Sequence, residues 1–578
     1  MDERSVMSKS SNLHPETILF VGAGATQALA MPTTNEQAKF LWEVCDEKPL
    51  RVDTIEASAR CFEGYGEAVA LMVFVLDGGA DGNGQIDCDD RRCEEAFPDV
   101  PKGDIEKVVR NLRRHYDWPA LKLIAKAKKG ATSDDMPRAE YLQEVFTLMD
   151  VCMRDGRGFE VDEGGEMVFL PVERIQAAYE TLILFVNTMF ACAWQKLIAK
   201  ADGQRTLEPY RIFFQSLASI MQKEARLLEG QRFALNTRAF YQFSYSLVTT
   251  NFEPLFLWFI WKAHDEVNHG TEVRIGNSGR ILKLLMNFPN SVGMRKPADK
   301  GEELSTDIWF PCTEAVAQNV NSEKYTDNRV FRLGKYFPVH GMSVTRHCPK
   351  CGRLNLYMGD TWDENSMTLF PNGIIEPFNW GQKPRTDEEK AAHRRGEYDA
   401  LECHFCGALT HAYDNFMFMQ TQLKCQPPSF IREATDEALA DITHAKHIVL
   451  LGYSMPLDDA IWGSLLSMMS RRKGGERLYC SVVATYDENG PKGWLWGREL
   501  DDYLEKKGKL VDDKEKVRAI KNAITVFGKE NVRAFVQGIP NVFGSGTEAE
   551  VRDLLYPHDQ PGWNIKGFTP NGIIREKP

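Results

Sequence analysis

Short apolar runs closed by small or polar residues recur along the chain. Ile18-Leu19-Phe20-Val21 runs into Gly22-Ala23-Gly24-Ala25-Thr26, and Ser246 to Thr250 stops at Asn251. His447 to Leu451 ends in Gly452-Tyr453-Ser454, and Leu478 to Ala484 ends near Tyr486-Asp487. Continuous apolar runs of this length, bounded by turn residues, predict strands buried on both faces, as in a parallel sheet. Elsewhere the apolar period lengthens to that of a helix. Glu140 to Met153, Val172 to Lys200, Tyr210 to Leu228 and Phe430 to Ala445 are such stretches. Pro32-Thr33-Thr34 breaks the chain after the first turn, and Thr34 or Asn35 is placed to cap a helix through Phe40 and Leu41.

Strands alternating with helices predict an α/β fold with a doubly wound, parallel, Rossmann-like sheet. The expected division is 1–52 as the first part of that domain, 53–240 as a large helical insertion without strands, and 241–330 as its continuation. Residues 262–330 are mixed in pattern and receive no elements. The segment 331–430 carries a histidine and two cysteine pairs, 431–545 completes the sheet, and 546–578 is a Pro- and Gly-rich peripheral tail.

Composition narrows this only a little. The chain has 578 residues, enough for several domains and a large core. Its net charge of −12 argues against nucleic-acid binding across the whole surface. Met1 to Glu16 lacks the apolar stretch of a signal peptide, and Thr181–Trp194 and Phe252–Trp261 are shorter than a bilayer span. No membrane association and a cytoplasmic location are therefore expected.

Four of the thirteen cysteines form Cys348-x-x-Cys351 and Cys403-x-x-Cys406, each followed by glycine. Two such knuckles present four thiolates to one tetrahedral ion, which predicts a small, closed, structural zinc module. The plainer alternative is four unliganded thiols, and the separation of the two pairs exceeds the usual ribbon spacing. Asp81 to Asp90 lines up with part of a calcium loop, but Gly79 stands at its first position and Asp90 at its last. It reads as an acidic surface loop, with weak calcium or magnesium binding as the alternative.

Each remaining motif has a functional and a structural reading. Gly22-Ala23-Gly24 after a strand suits backbone approach to a phosphate, yet Gln27 stands where the dinucleotide fingerprint needs a third glycine or alanine. Asn251 at a strand end can donate to a hydroxyl and accept from water, or simply close a turn. His340, between Pro338 and Gly341, can act as a base near neutral pH, although the chain has twelve histidines. Gly452-Tyr453-Ser454 suits a ribose or phosphate, or a plain loop.

Taken together and in this order, these pieces resemble the sirtuin family of NAD-consuming enzymes. Gly22-Ala23-Gly24-Ala25-Thr26 resembles its opening NAD-binding turn, Thr250-Asn251 its Gln-Asn pair, and Val339-His340-Gly341 its catalytic-histidine segment. Gly452-Tyr453-Ser454 resembles the ribose-side turn, and Val482 to Asp487 the adenosine-side strand end. Met31-Pro32-Thr33-Thr34 lacks the Phe-Arg of deacetylating members, and Thr250 replaces their Gln. Thr249-Thr250-Asn251-Phe252-Glu253 is closer to the Thr-Thr-Asn-Tyr-Asp of the sirtuin-like NAD hydrolases of bacterial anti-phage defence, with Glu253 in place of the Asp.

The resemblance implies NAD+ as substrate, Asn251 and His340 as catalytic residues, and Gly22, Ala23, Gly24, Ala25, Thr26, Thr250, Glu253, Gly452, Tyr453, Ser454 and Asp487 as contacts to it. It implies a gated NAD+ hydrolase, an oligomer, and an ATPase- or helicase-like partner or a phage protein as trigger. A protein deacylase, which the cysteine pairs favour, and a non-catalytic NAD- or ADP-ribose-sensing subunit are the alternatives.

Overall fold

The computed structural model describes residues 14–46, 50–77, 91–96, 102–130, 139–226, 243–269, 274–275, 280–287, 291–292, 329–347, 354–356, 401–402, 409–410, 415–417, 429–455, 459–471, 478–483, 486–507 and 514–557. The chain divides into two compact units. One comprises Met1–Ala28, Gln204–Gly341 and Pro428–Pro578, and the other Leu29–Gly203 and Met342–Pro427.

The first unit is built on a nine-stranded sheet. In chain order its strands are β1 Thr17–Val21, β2 Phe243–Thr249, β3 Arg274–Ile275, β4 Arg280–Asn287, β5 Arg329–Pro338, β6 His447–Leu451, β7 Tyr479–Val483, β8 Trp494–Leu495 and β9 Val532–Phe535. In space they run β8-β9-β7-β6-β1-β2-β5-β4-β3. The inner seven are parallel, and only the short edge strands β8 and β3 pair antiparallel. The protein is thus a mixed α/β structure with a mostly parallel central sheet.

β1 and β6 are apolar throughout or nearly so because both faces are covered, and every residue of each is buried. Ile18, Phe20, Ile448 and Leu450 pack with Ala438, Ile442, Trp462, Leu466 and Ile520 of helices Ser429–His444, Ala460–Ser470 and Lys514–Phe527. The alternate residues meet the opposite layer. There Thr17 donates to the Leu555 carbonyl at 2.6 Å, and the His447 ring lies 3.0 Å from the same oxygen.

Helix Glu548–Leu555 is therefore part of the domain and not a peripheral tail. Its start is fixed by a capping box in which Thr547 and Glu550 bond each other's backbone. Helix Gly203–Arg226 also belongs to this unit, inside the stretch expected to be insertion. Its Tyr210 and Phe213 pack on Phe543 at 5.3 and 4.3 Å between ring centroids.

The second unit holds the remaining helices of the expected insertion, among them Thr34–Val44, Trp118–Gly130, Ala139–Asp155 and Val172–Ala199. Thr33, not Thr34 or Asn35, caps the first of these, because Glu36 three residues on completes a capping box with it. Among the described residues, Val172–Ala199 alone is long and apolar enough to cross a membrane, and most of its apolar window is buried within the protein. Phe185 on this helix meets Trp118 at 4.9 Å and Phe40 at 5.5 Å.

The region is not wholly helical. Phe159–Glu163 and Glu166–Leu170 form an antiparallel hairpin around Gly164 and Gly165, both at positive φ. Alternating polarity in Phe159–Glu163 ahead of a Gly-Gly pair is a local hairpin signal, embedded here among much longer helical patterns.

Candidate functional site at the strand ends

The sheet order brings the separate motifs into one row. Adjacent parallel strands β7, β6, β1, β2 and β5 run on into Tyr486-Asp487, Gly452, Gly22, Thr250-Asn251 and Val339-His340. All of these follow carboxyl ends of strands, where open α/β sheets bind ligands. The chain places β2, β4 and β5 on one side of β1, then crosses to the other side for β6. The β1–β6 border is consequently the point where strand order reverses.

Backbone hydrogen bonds tie the row together. Gly22 N–H donates to Leu451 O at 3.0 Å, Gly24 N–H to Gly452 O at 3.0 Å, Thr250 N–H to Val21 O at 3.1 Å and Val339 N–H to Thr249 O at 3.1 Å. Ala25 and Thr26 N–H close back on Gly22 and Ala23. The glycines thus let two turns touch, and the N–H groups of Gly22 and Gly24 point to the neighbouring turn. Short 3₁₀ turns, Ala23–Ala25 and Gln27–Leu29, follow the glycine turn ahead of the expected helix. Pro32 lies just beyond them, and the next helix starts at Thr34.

A cavity of about 470 Å³ opens at this switch point. Gly24, Gln27, Gly452, Tyr453, Ser454 and Tyr486 are among the residues lining it. Its size lies within the range of small-molecule sites. Tyr486, half exposed, offers a ring to the cavity. The neighbouring Asp487 carboxylate is instead buried on Tyr503 at 3.0 Å and Lys507 at 2.9 Å. Burial alone would raise its pKa, but hydrogen bonds from Lys507 and Tyr503 hold it below the ordinary carboxylate value.

Asn251, Glu253, His340 and Asp459, which are not among the residues lining the cavity, are all buried. The Asn251 backbone N–H donates to Thr249 Oγ1 at 3.0 Å, which fixes the turn after β2. Its side-chain Nδ2 donates to Glu253 Oε1 at 2.8 Å. That bond leaves Oδ1, buried and without a protein hydrogen-bond partner among the described residues, as an acceptor. Burial raises the pKa of Glu253 to about 7, against opposing hydrogen bonds from Thr26 and Asn251. Tyr210 closes this corner by donating its hydroxyl to Ala25 O at 2.8 Å.

His340 sits in the turn after β5, next to Gly341 at φ 76°. Its Nε2 lies 3.5 Å from Asp459 Oδ1. Asp459 stands at the N-cap of helix Ala460–Ser470 but makes no capping bond with its side chain. Its Oδ2 accepts instead from the Tyr453 hydroxyl at 2.7 Å.

Sequence reasoning missed Asp459 and Tyr210 as members of this region, and it singled out Asp487 where the neighbouring Tyr486 lines the cavity. An Asp before the apolar run Ala460-Ile461-Trp462 does signal a helix start, which suggests a cap and nothing further. Tyr210 lies in a helical pattern with no local mark of its destination.

Cys348, Cys351, Cys403 and Cys406 lie outside the described residues, as does Asp81–Asp90. The strands around the cysteines are described. His347 pairs antiparallel with Leu354 around residues 348–353, and Glu402 with Leu409 around residues 403–408. No family model matches the chain, and no curated protein matches it either.

Proposed function

We propose that this chain hydrolyses NAD+ at the nicotinamide–ribose bond, releasing nicotinamide and ADP-ribose. The observation that carries the reading is the convergence of Gly22, Asn251, His340 and Gly452 on four adjacent strand ends beside a cavity at the switch point. Motifs scattered over more than four hundred residues of sequence become neighbours at one edge of one sheet.

The chemistry follows from the residues. The bond from ribose C1′ to the pyridinium nitrogen breaks, its electron pair returns to the ring, and nicotinamide leaves neutral. The sugar passes through an oxocarbenium-like state, as in glycoside cleavage. A water oxygen then bonds to C1′ and gives up a proton. Asn251 Oδ1 is the acceptor for that water or for a ribose hydroxyl, and His340 is the base. Gly24, Gly452, Tyr453, Ser454 and Tyr486 receive the remainder of the dinucleotide.

The Thr249-Thr250-Asn251 sequence supports placing the activity with gated bacterial defence effectors, acting as an oligomer under a partner or phage trigger. Incubating the full chain with NAD+ and following nicotinamide and ADP-ribose tests the proposal directly. Asn251→Ala is expected to lower turnover by about 10²-fold or more. Equal turnover by this variant, or product formed only with an acylated peptide, would overturn it.

A further inference from the structure

We infer that Asp459 is a positioning residue for His340, and that Tyr453 holds Asp459 in place. The inference rests on the reading of His340 as the base in NAD+ cleavage. The geometry is a chain of three buried side chains. Tyr453 Oη donates to Asp459 Oδ2 at 2.7 Å, and Asp459 Oδ1 faces His340 Nε2 at 3.5 Å.

A carboxylate at Nε2 keeps the proton on that nitrogen when the imidazole is neutral. It thereby makes Nδ1 the basic nitrogen. Catalytic contacts of this kind are often long before substrate binds and shorten in the complex. The carboxylate also stabilises the imidazolium formed when His340 accepts a proton, without taking the proton itself.

Two features support this role for Asp459. It occupies an N-cap position, where an Asp normally bonds its own helix, yet its side chain makes no such bond. Tyr453 is itself braced, its ring packed on Phe20 at 4.5 Å between centroids. Tyr453 also lines the cavity. One side chain therefore contacts the space for the dinucleotide and, through Asp459, sets the histidine. His340 follows β5 and Asp459 follows β6, with β1 and β2 between those strands, so the chain of contacts spans the switch point.

The test uses the full chain labelled with ¹⁵N-histidine. The His340 signals are assigned by their loss in His340→Gln. In the native protein they should report a proton on Nε2. In Asp459→Asn the new amide can donate to Nε2, and the proton should move to Nδ1. The same variant should lose on the order of 10²–10⁴-fold in kcat, the scale seen when a histidine base is held in the wrong tautomer, with KM for NAD+ little changed. Tyr453→Phe keeps the ring and removes only the hydroxyl, so it should move the same signals by less. It also serves if Asp459→Asn fails to fold.

An unchanged tautomer in both variants overturns the inference, as does a switched tautomer with native kcat. A switched tautomer in a protein that never cleaves NAD+ supports the positioning and sinks the NAD+ reading.

Discussion

The Gly24 N–H donates to the Gly452 carbonyl at 3.0 Å, joining two turns that lie more than four hundred residues apart in sequence. The contact is so close that neither glycine has room for a side chain. A Cβ on Gly452 would lie 2.1 Å from Ala25 N and 2.3 Å from Gly24 C, and Gly452 sits at φ +59°. Gly452→Ala should therefore destabilise the protein by about 3 kcal/mol or more and abolish the proposed NAD+ cleavage. Gly463→Ala is the control, because a Cβ there meets nothing within 4 Å on helix Ala460–Ser470. It should be neutral or stabilise by up to about 1 kcal/mol. Equal melting temperatures for the two variants would contradict the close-approach argument.

Glu253 provides a pH-dependent signature. Its pKa in the fold is about 7, raised from 4.5 chiefly by burial. The protonated form is the one the fold favours. Its contribution is fully present below pH 4.5 and is lost as pH rises through 7, a swing of roughly 3 kcal/mol. Glu253→Gln cannot ionise. Denaturant unfolding at pH 5 and pH 8 should show the native protein losing stability relative to this variant at the higher pH. A gap independent of pH would show that Glu253 titrates normally.

A buried ion pair is a second point of sensitivity. Lys335 Nζ lies 2.7 Å from Asp441 Oδ1, and both side chains are essentially inaccessible. Ser246 and His14 also meet this carboxylate, at 2.5 and 2.6 Å. Lys335→Met removes the lysine from this buried carboxylate, leaving it only Ser246 and His14 of these three contacts, and should cost about 3 kcal/mol. Adding Asp441→Leu should recover a good part of that loss. Additive losses in the double variant would mean the two charges do not interact.

The cysteine pairs are expected to hold about one zinc per chain, bound through four thiolates. Elemental analysis of the purified protein measures it. Cys348→Ser or Cys403→Ser should lose the metal and lower the melting temperature. Zinc that persists when all four cysteines are replaced would place it elsewhere.

What the sequence determined by itself was local. Ile18–Val21 and His447–Leu451 declared themselves as buried strands because both faces of a central parallel strand demand apolar side chains. The helices at Ala139–Asp155 and Val172–Ala199 were legible from their period. Asn251 and the glycine turns stood out because each terminates such a run, and His340 because it lies between Pro338 and Gly341 ahead of the first cysteine pair. Tertiary structure alone decided which strand lies beside which. Ile18 pairs with Ile448 on one side and Ser246 on the other, and no residue near Ile18 encodes either partner. That pairing turns separate motifs into one row, assigns Gly22 and Gly24 to turn contact, and recruits Asp459 and Tyr210 from helices. Periodicity reports which face of an element is buried, whereas parallel strand pairing depends on complementarity across hundreds of residues.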